Sequence, residues 1–167
     1  GTMGVLKGKM QTLSFDERVD MKVKQGRPPF LVQMKITDDD GNELPRDGKT
    51  FGNLKVKGPF IIESYMKGDG GDVLDDDGYF DTGDVATLDA DGFMQITDRS
   101  KDVVKSGGEW ISSIELENIA VGHPDVVEAA VIGVAHPKWD ERPILIVIKK
   151  EDSELSRADV LGFMEGK

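Results

Sequence analysis

The sequence predicts an α+β fold: a small antiparallel, β-barrel-like subdomain followed by a compact α+β unit, truncated at both ends. Three observations carry that expectation. Between residues 30 and 97 the apolar residues recur with period two, and the runs are broken by acidic Asp-Gly turns. Helix-start signals stand at Ser14, Ser112 and Ser156. After Arg99 the pattern changes from hairpins to an alternation of strands and helices.

Ser14 with Glu17 forms a capping-box signature, acids follow in the first turn and lysines in the last, and Gly26 marks the stop. Arg27-Pro28-Pro29 then excludes helix. Residues 31–37 and 52–58 alternate as strands. Residues 83–88 and 93–97 flank Asp89-Ala90-Asp91-Gly92 as a hairpin. Residues 104–111 read as one strand. Ser112-Ser113-Ile114-Glu115 opens a helix that runs to about Val121, before Gly122-His123-Pro124. Residues 126–134 and 143–148 read as strands, and Ser156 opens a last helix. The order β-α-β-β-α implies a three-stranded sheet with helices on one face. The expected division is residues 1–98, a hinge at 99–102, and an incomplete small domain at 103–167.

The chain has 167 residues, 38% hydrophobic and 32% charged, as suits a soluble globular protein. Its apolar runs are too short to span a bilayer as a helix. It has no cysteine, which excludes disulfide and thiolate chemistry, and no leader pattern; both point to the cytoplasm. It begins at Gly1 and not at Met, so a processed chain or a fragment is expected. A net charge of −11 argues against nucleic acid and anionic membranes as partners. The acids cluster as Asp38-Asp39-Asp40-Gly41, Asp75-Asp76-Asp77-Gly78 and Asp89-Ala90-Asp91-Gly92, which read as solvated turns. Residues 87–98 come nearest to an EF-hand loop, but begin with Thr, end with a short acid and lie between strand-like flanks, so calcium is rejected. His123 and His136 each precede Pro as loop residues, without acids at ligand spacing, and no metal site is expected.

Asp84 follows Thr82-Gly83 and is expected in a turn. Its carboxylate suits a ribose diol, because charge-assisted hydrogen bonds are strong. It equally suits capping a turn. Arg99 can donate to the same diol or to a phosphate, or form a surface ion pair of small worth. Lys105-Ser106-Gly107-Gly108 lacks the spacing of a phosphate-binding P-loop. Paired glycines beside a strand instead mean close approach of another backbone or of a ligand. Lys105 fits an anion or a protective strand edge, and Trp110 fits a stacking surface or the core.

Taken in order, Tyr79-Phe80-Asp81-Thr82-Gly83-Asp84-Val85-Ala86, Asp98-Arg99-Ser100-Lys101-Asp102 and Lys105-Ser106-Gly107-Gly108-Glu109-Trp110-Ile111-Ser112 resemble the adenylate-forming superfamily. That superfamily comprises acyl-CoA synthetases, luciferases and peptide-synthetase adenylation domains. The run from Ser106 to Ser113 is similar to the fatty-acyl-CoA ligase branch, including ligases for medium-chain and methylthio-substituted short acids. Gly1-Thr2, Gly26-Arg27-Pro28 and the run from Gly52 to Pro59 extend the resemblance over nearly the whole chain.

The resemblance implies an ATP-dependent ligase that joins a fatty acid (medium- or long-chain) or a related carboxylic acid to CoA. A carboxylic acid attacks the α-phosphate of ATP, and the thiolate of CoA then attacks the acyl-adenylate. It implies that Asp84 holds the ribose hydroxyls with help from Arg99. Lys101 is implied as the hinge beside the nucleotide, Lys105 and Trp110 as adenylate contacts, and Gly107, Gly108 and Glu109 as the path of the CoA arm. ATP, CoA and Mg2+ are the implied cofactors. The magnesium ligands, the phosphate loop and the catalytic lysine are expected outside these residues, with the rest of the polypeptide as partner. Gly166-Lys167 mimics the lysine's dipeptide too early to take its role. The chain by itself is therefore expected to be inactive. The alternative is a stand-alone nucleotide- or CoA-binding module without catalysis.

Overall fold

The computed structural model describes residues 2–69 and 71–166. Gly1 and Lys167 lie outside the described residues, and so do the parts of Gly1-Thr2 and Gly166-Lys167 that rest on them. The chain divides into two units, Gly1–Ser100 and Lys101–Lys167.

In the first unit, helix α1 spans Phe15–Val23. The capping box is made in both directions: Glu17 N donates to Ser14 Oγ, and Ser14 N donates to Glu17 Oε2 at 2.8 Å. The helix closes before the expected Gly26, because Lys24 is already extended. Strands β1 (Gln33–Thr37), β2 (Gly52–Lys57), β3 (Phe80–Leu88) and β4 (Met94–Arg99) form an antiparallel sheet in the order β1-β2-β3-β4. It is an open meander and not a barrel, since four short strands give neither the width nor the stagger that closure requires. Met34, Ile36, Leu54, Ala86, Leu88 and Met94 make the core under this sheet, flanked by Leu44 and Val56. Burying a side chain such as Ile36 from water contributes about 1.5–3 kcal/mol.

In the second unit, β5 (Val104–Ser106) and β6 (Glu109–Ile111) pair as a short hairpin. The single strand expected over 104–111 is thus broken in two, because Gly107 and Gly108 both take positive φ (61° and 87°) and turn the chain. Helix α2 spans Ser113–Val121, with Glu115 N donating to Ser112 Oγ at 3.1 Å. Strands β7 (Val126–His136) and β8 (Asp140–Lys149) form a long hairpin, and α3 covers Arg157–Met164 behind a capping box of Ser156 and Asp159. The sheet therefore has four strands in the order β6-β5-β8-β7, one more than expected. Helix α2 packs on β7 and touches α3, where the His123 and Phe163 rings meet edge to face at 4.9 Å. His136 ends a strand and is not a loop residue. No helix among the described residues is long and apolar enough to cross a membrane.

Candidate functional site

Asp84 lies inside β3 and not in a turn. Gly83 before it takes φ +72°, a conformation that favours glycine, yet the strand continues. The β2–β3 register slips here: Asn53 faces Val85 while Lys55 faces Asp81, so residues 82–84 bulge opposite Leu54. Four hydrogen bonds hold the bulge. Thr82 Oγ1 donates to Leu54 O (3.0 Å), Asp84 N to Thr82 Oγ1 (3.2 Å), Gly83 N to Asp81 Oδ1 (2.9 Å) and Ser100 N to Gly83 O (3.0 Å).

Asp84 then stands directly opposite Arg99, the last residue of β4. Arg99 Nη1 and Asp84 Oδ1 are 3.1 Å apart. The carboxylate is sheltered (18% exposed) and the guanidinium reaches out (61% exposed). A carboxylate offers about four lone-pair sites and a guanidinium five donors, so one ion pair leaves both able to bind further groups. Arg99 N donates at 2.8 Å to the buried carboxylate of its chain neighbour Asp98. The next residue, Ser100, donates its Oγ to Asn53 Oδ1 at 3.2 Å.

In the second unit Lys105 and Trp110 face each other across the β5–β6 hairpin. The ammonium sits 4.5 Å from the centre of the indole ring, within cation–π range. The two glycines of the turn serve different ends. A Cβ on Gly107 would lie 2.8 Å from Cε3 of Trp139, whereas Gly108 faces open space. Gly107 N donates to Trp139 O at 2.8 Å. Glu109 is exposed and pairs with Ser106, and Lys101 is exposed in the turn that follows β4. Sequence reasoning missed Trp139, Lys138 and Glu141. Lys138 places its ammonium 4.6 Å from the Trp139 ring centre, and Glu141 Oε2 accepts from Lys105 N at 3.0 Å. The available signal was a Trp in the gap between two apolar runs, a place with no strand neighbours to fill.

The acidic runs are built into turns. Asp89 accepts from Asp91 N and Phe93 N and pairs with Lys24 at 2.7 Å. Asp91 pairs with Lys9 and Lys7, which hold its carboxyl below the usual range. Burial raises the Asp75 carboxyl, but Tyr79 N, Lys35 and Lys55 outweigh it and the net direction is down. His123 Nδ1 accepts from Asp125 N, and His136 Nδ1 from Lys138 N and Trp139 N. Among the described residues no group of three or more His, Cys, Asp or Glu could hold a metal ion.

Residues 115–167 match the family described as AMP-binding enzyme C-terminal domain. The whole chain aligns with the 3-methylmercaptopropionyl-CoA ligase of Ruegeria lacuscaerulensis, at 55% identity over 167 residues and 31% of that protein. The medium-chain-fatty-acid–CoA ligase of Ectopseudomonas oleovorans is 52% identical over 155 residues, 93% of this chain and 28% of that protein. Among solved structures, ATP-bound MatB from Rhodopseudomonas palustris superposes with a TM-score of 0.72 at 33% identity, covering 86% of this chain and 29% of that one. The chain thus spans 31% or less of the length of these relatives.

Proposed function

Because this chain belongs to the adenylate-forming, AMP-binding acyl-CoA synthetases, we propose that it supplies the ribose-holding and thiol-approach elements of an AMP-forming acid–thiol ligase. The single observation that carries the reading is the cross-strand pair of Asp84 and Arg99. A sheltered carboxylate beside an outstretched guanidinium suits a ribose whose neighbouring group is a phosphate.

In the first half-reaction a carboxylic acid attacks the α-phosphorus of ATP, the bond to the β-phosphate oxygen breaks, and acyl-adenylate and pyrophosphate form. Asp84 accepts from the two ribose hydroxyls, and Arg99 donates alongside. Lys105 and Trp110 contact the adenylate. In the second half-reaction the thiolate of CoA attacks the acyl carbon and AMP leaves. Gly107, Gly108 and Glu109 line the approach of the thiol arm, where the absence of side chains admits a thin ligand. Lys101, exposed in its turn, serves as the pivot between the two steps. The acid is a medium- or long-chain fatty acid or a related carboxylic acid, a reading supported by relatives named as 3-methylmercaptopropionyl-CoA, medium-chain-fatty-acid–CoA and long-chain-fatty-acid–CoA ligases. The cysteine-free sequence and the charge of −11 support work in the cytoplasm without nucleic acid.

Two constructions test this. The 167 residues by themselves contain no P-loop spacing to cradle phosphates, and electrostatic stabilisation of the transferring group is a large catalytic factor. ATP–pyrophosphate exchange by this chain with octanoate should therefore read as background. A chimera in which these residues replace the matching segment of the Ruegeria ligase should form the CoA thioester of 3-methylmercaptopropionate and lose that activity on Asp84→Ala. A folded chimera without activity, or one indifferent to Asp84, would overturn the proposal.

A further inference from the structure

The β5–β6 hairpin carries Lys105, Gly107, Gly108, Glu109 and Trp110, and a short stretch of backbone joins it to β8. One backbone pair joins the strands, Ser106 opposite Asp140. Gly107 N adds a hydrogen bond to Trp139 O at 2.8 Å. One residue further along β5, the amide of Lys105 donates to a side chain, Glu141 Oε2, at 3.0 Å. The carboxylate thus occupies the place of the next ladder acceptor, and an ionised acceptor strengthens the bond.

The surroundings are shaped for this carboxylate. Glu141 stands opposite Ala135 on the β7–β8 hairpin, and its carboxylate lies over Gly133. A Cβ at Gly133 would fall 2.9 Å from Oε2, so glycine there makes the room. Just before Glu141, Asp140 takes φ +68°, which is uncommon outside glycine and fixes the exit from the Trp139 turn. Of the two hydrogen bonds named here, the one through Glu141 is the one a side-chain change removes directly.

We infer that Glu141 is a positioning residue: its carboxylate sets the backbone of Lys105, and through it the Lys105–Trp110 pair and the Gly107–Gly108 turn. The inference rests on the reading of that turn as the approach of the CoA thiol.

The chain has two tryptophans, Trp110 and Trp139, and both stand at this turn, so intrinsic fluorescence reports on it. Amide exchange and emission are measured on the 167-residue chain with Glu141 intact, with Glu141→Ala and with Glu141→Gln. Glu141→Ala should speed exchange at Lys105 and Gly107 by about tenfold or more and red-shift the emission, with β3 and β4 amides unchanged. Glu141→Gln keeps a carbonyl acceptor and should restore most of the protection. Exchange at Lys105 in Glu141→Ala within about twofold of the parent, or Gln no better than Ala, overturns the inference.

In the Ruegeria chimera, Glu141→Ala should raise the KM for CoA by about tenfold, with Gln recovering it. Lost order at Lys105 with an unchanged KM also overturns the positioning role. An inactive parent chimera counts against the ligase reading alone, because the exchange measurement still decides the ordering.

Discussion

Asp84 and Arg99 meet across β3 and β4 at 3.1 Å, the carboxylate sheltered and the guanidinium in solvent. Solvent screens such a pair, so its coupling in a double-mutant cycle of Asp84→Ala and Arg99→Ala should be at most about 1 kcal/mol in urea unfolding. In the Ruegeria chimera the same substitutions should lower nucleotide affinity by about tenfold or more, since hydrogen bonds to charged groups are worth about 1.5–3 kcal/mol. Large stability losses with unchanged nucleotide affinity would make the pair structural.

Gly107 turns with φ +61° against the Trp139 ring. Gly107→Ala should destabilise by about 1–3 kcal/mol, from positive φ and from displacement of the indole. Gly108, with nothing within 4 Å, has only the conformational part to lose, so Gly108→Ala should cost less. Urea midpoints of the two variants give the comparison, and equal losses would contradict it.

Ser112 is buried, and its hydroxyl accepts from Glu115 N at the start of α2. Ser112→Ala should cost about 1 kcal/mol of stability, and Ser112→Asp should keep the cap. Thermal unfolding of the two variants decides it, with equal midpoints counting against the cap.

Asp47 accepts from Thr50 N (2.7 Å), Lys49 N (2.8 Å) and Thr50 Oγ1 (2.8 Å), and these donors hold its carboxyl at about 2 against an ordinary 3.8. A depressed carboxyl contributes stability above the ordinary value and loses it as pH falls through the folded one. The stability difference between the parent and Asp47→Ala should therefore be full above pH 3.8 and vanish as pH falls through about 2. A carboxyl resonance that titrates near 3.8 in the folded chain would remove the basis for this.

Local chemistry made much of the fold legible. The helix starts at Ser14, Ser112 and Ser156 and the Asp-Gly turns depend on neighbouring residues, and each stands where the sequence pointed. Thr82-Gly83 misled because a glycine signals a turn in sequence, whereas ladder pairs at Asp81 and Asp84, on either side of it along the chain, keep it in a strand. Gly107-Gly108 misled in the opposite sense, since a run of strand formers hid a hairpin. Asp84 and Arg99 were legible as a motif, but their direct pairing depends on the β3–β4 register. Trp139 and Glu141 were not legible, because the β5–β8 contact joins distant segments through a single bridge pair.

Asp84 and Arg99 as a ribose–phosphate site can be read at the residues themselves, by an amide-resolved NMR titration of the 167-residue chain with AMP. Saturable shifts are expected at Gly83, Asp84, Arg99 and Ser100, and Asp84→Ala should abolish them. Unmoved amides at these four residues at saturating AMP, or shifts that survive Asp84→Ala, would contradict it.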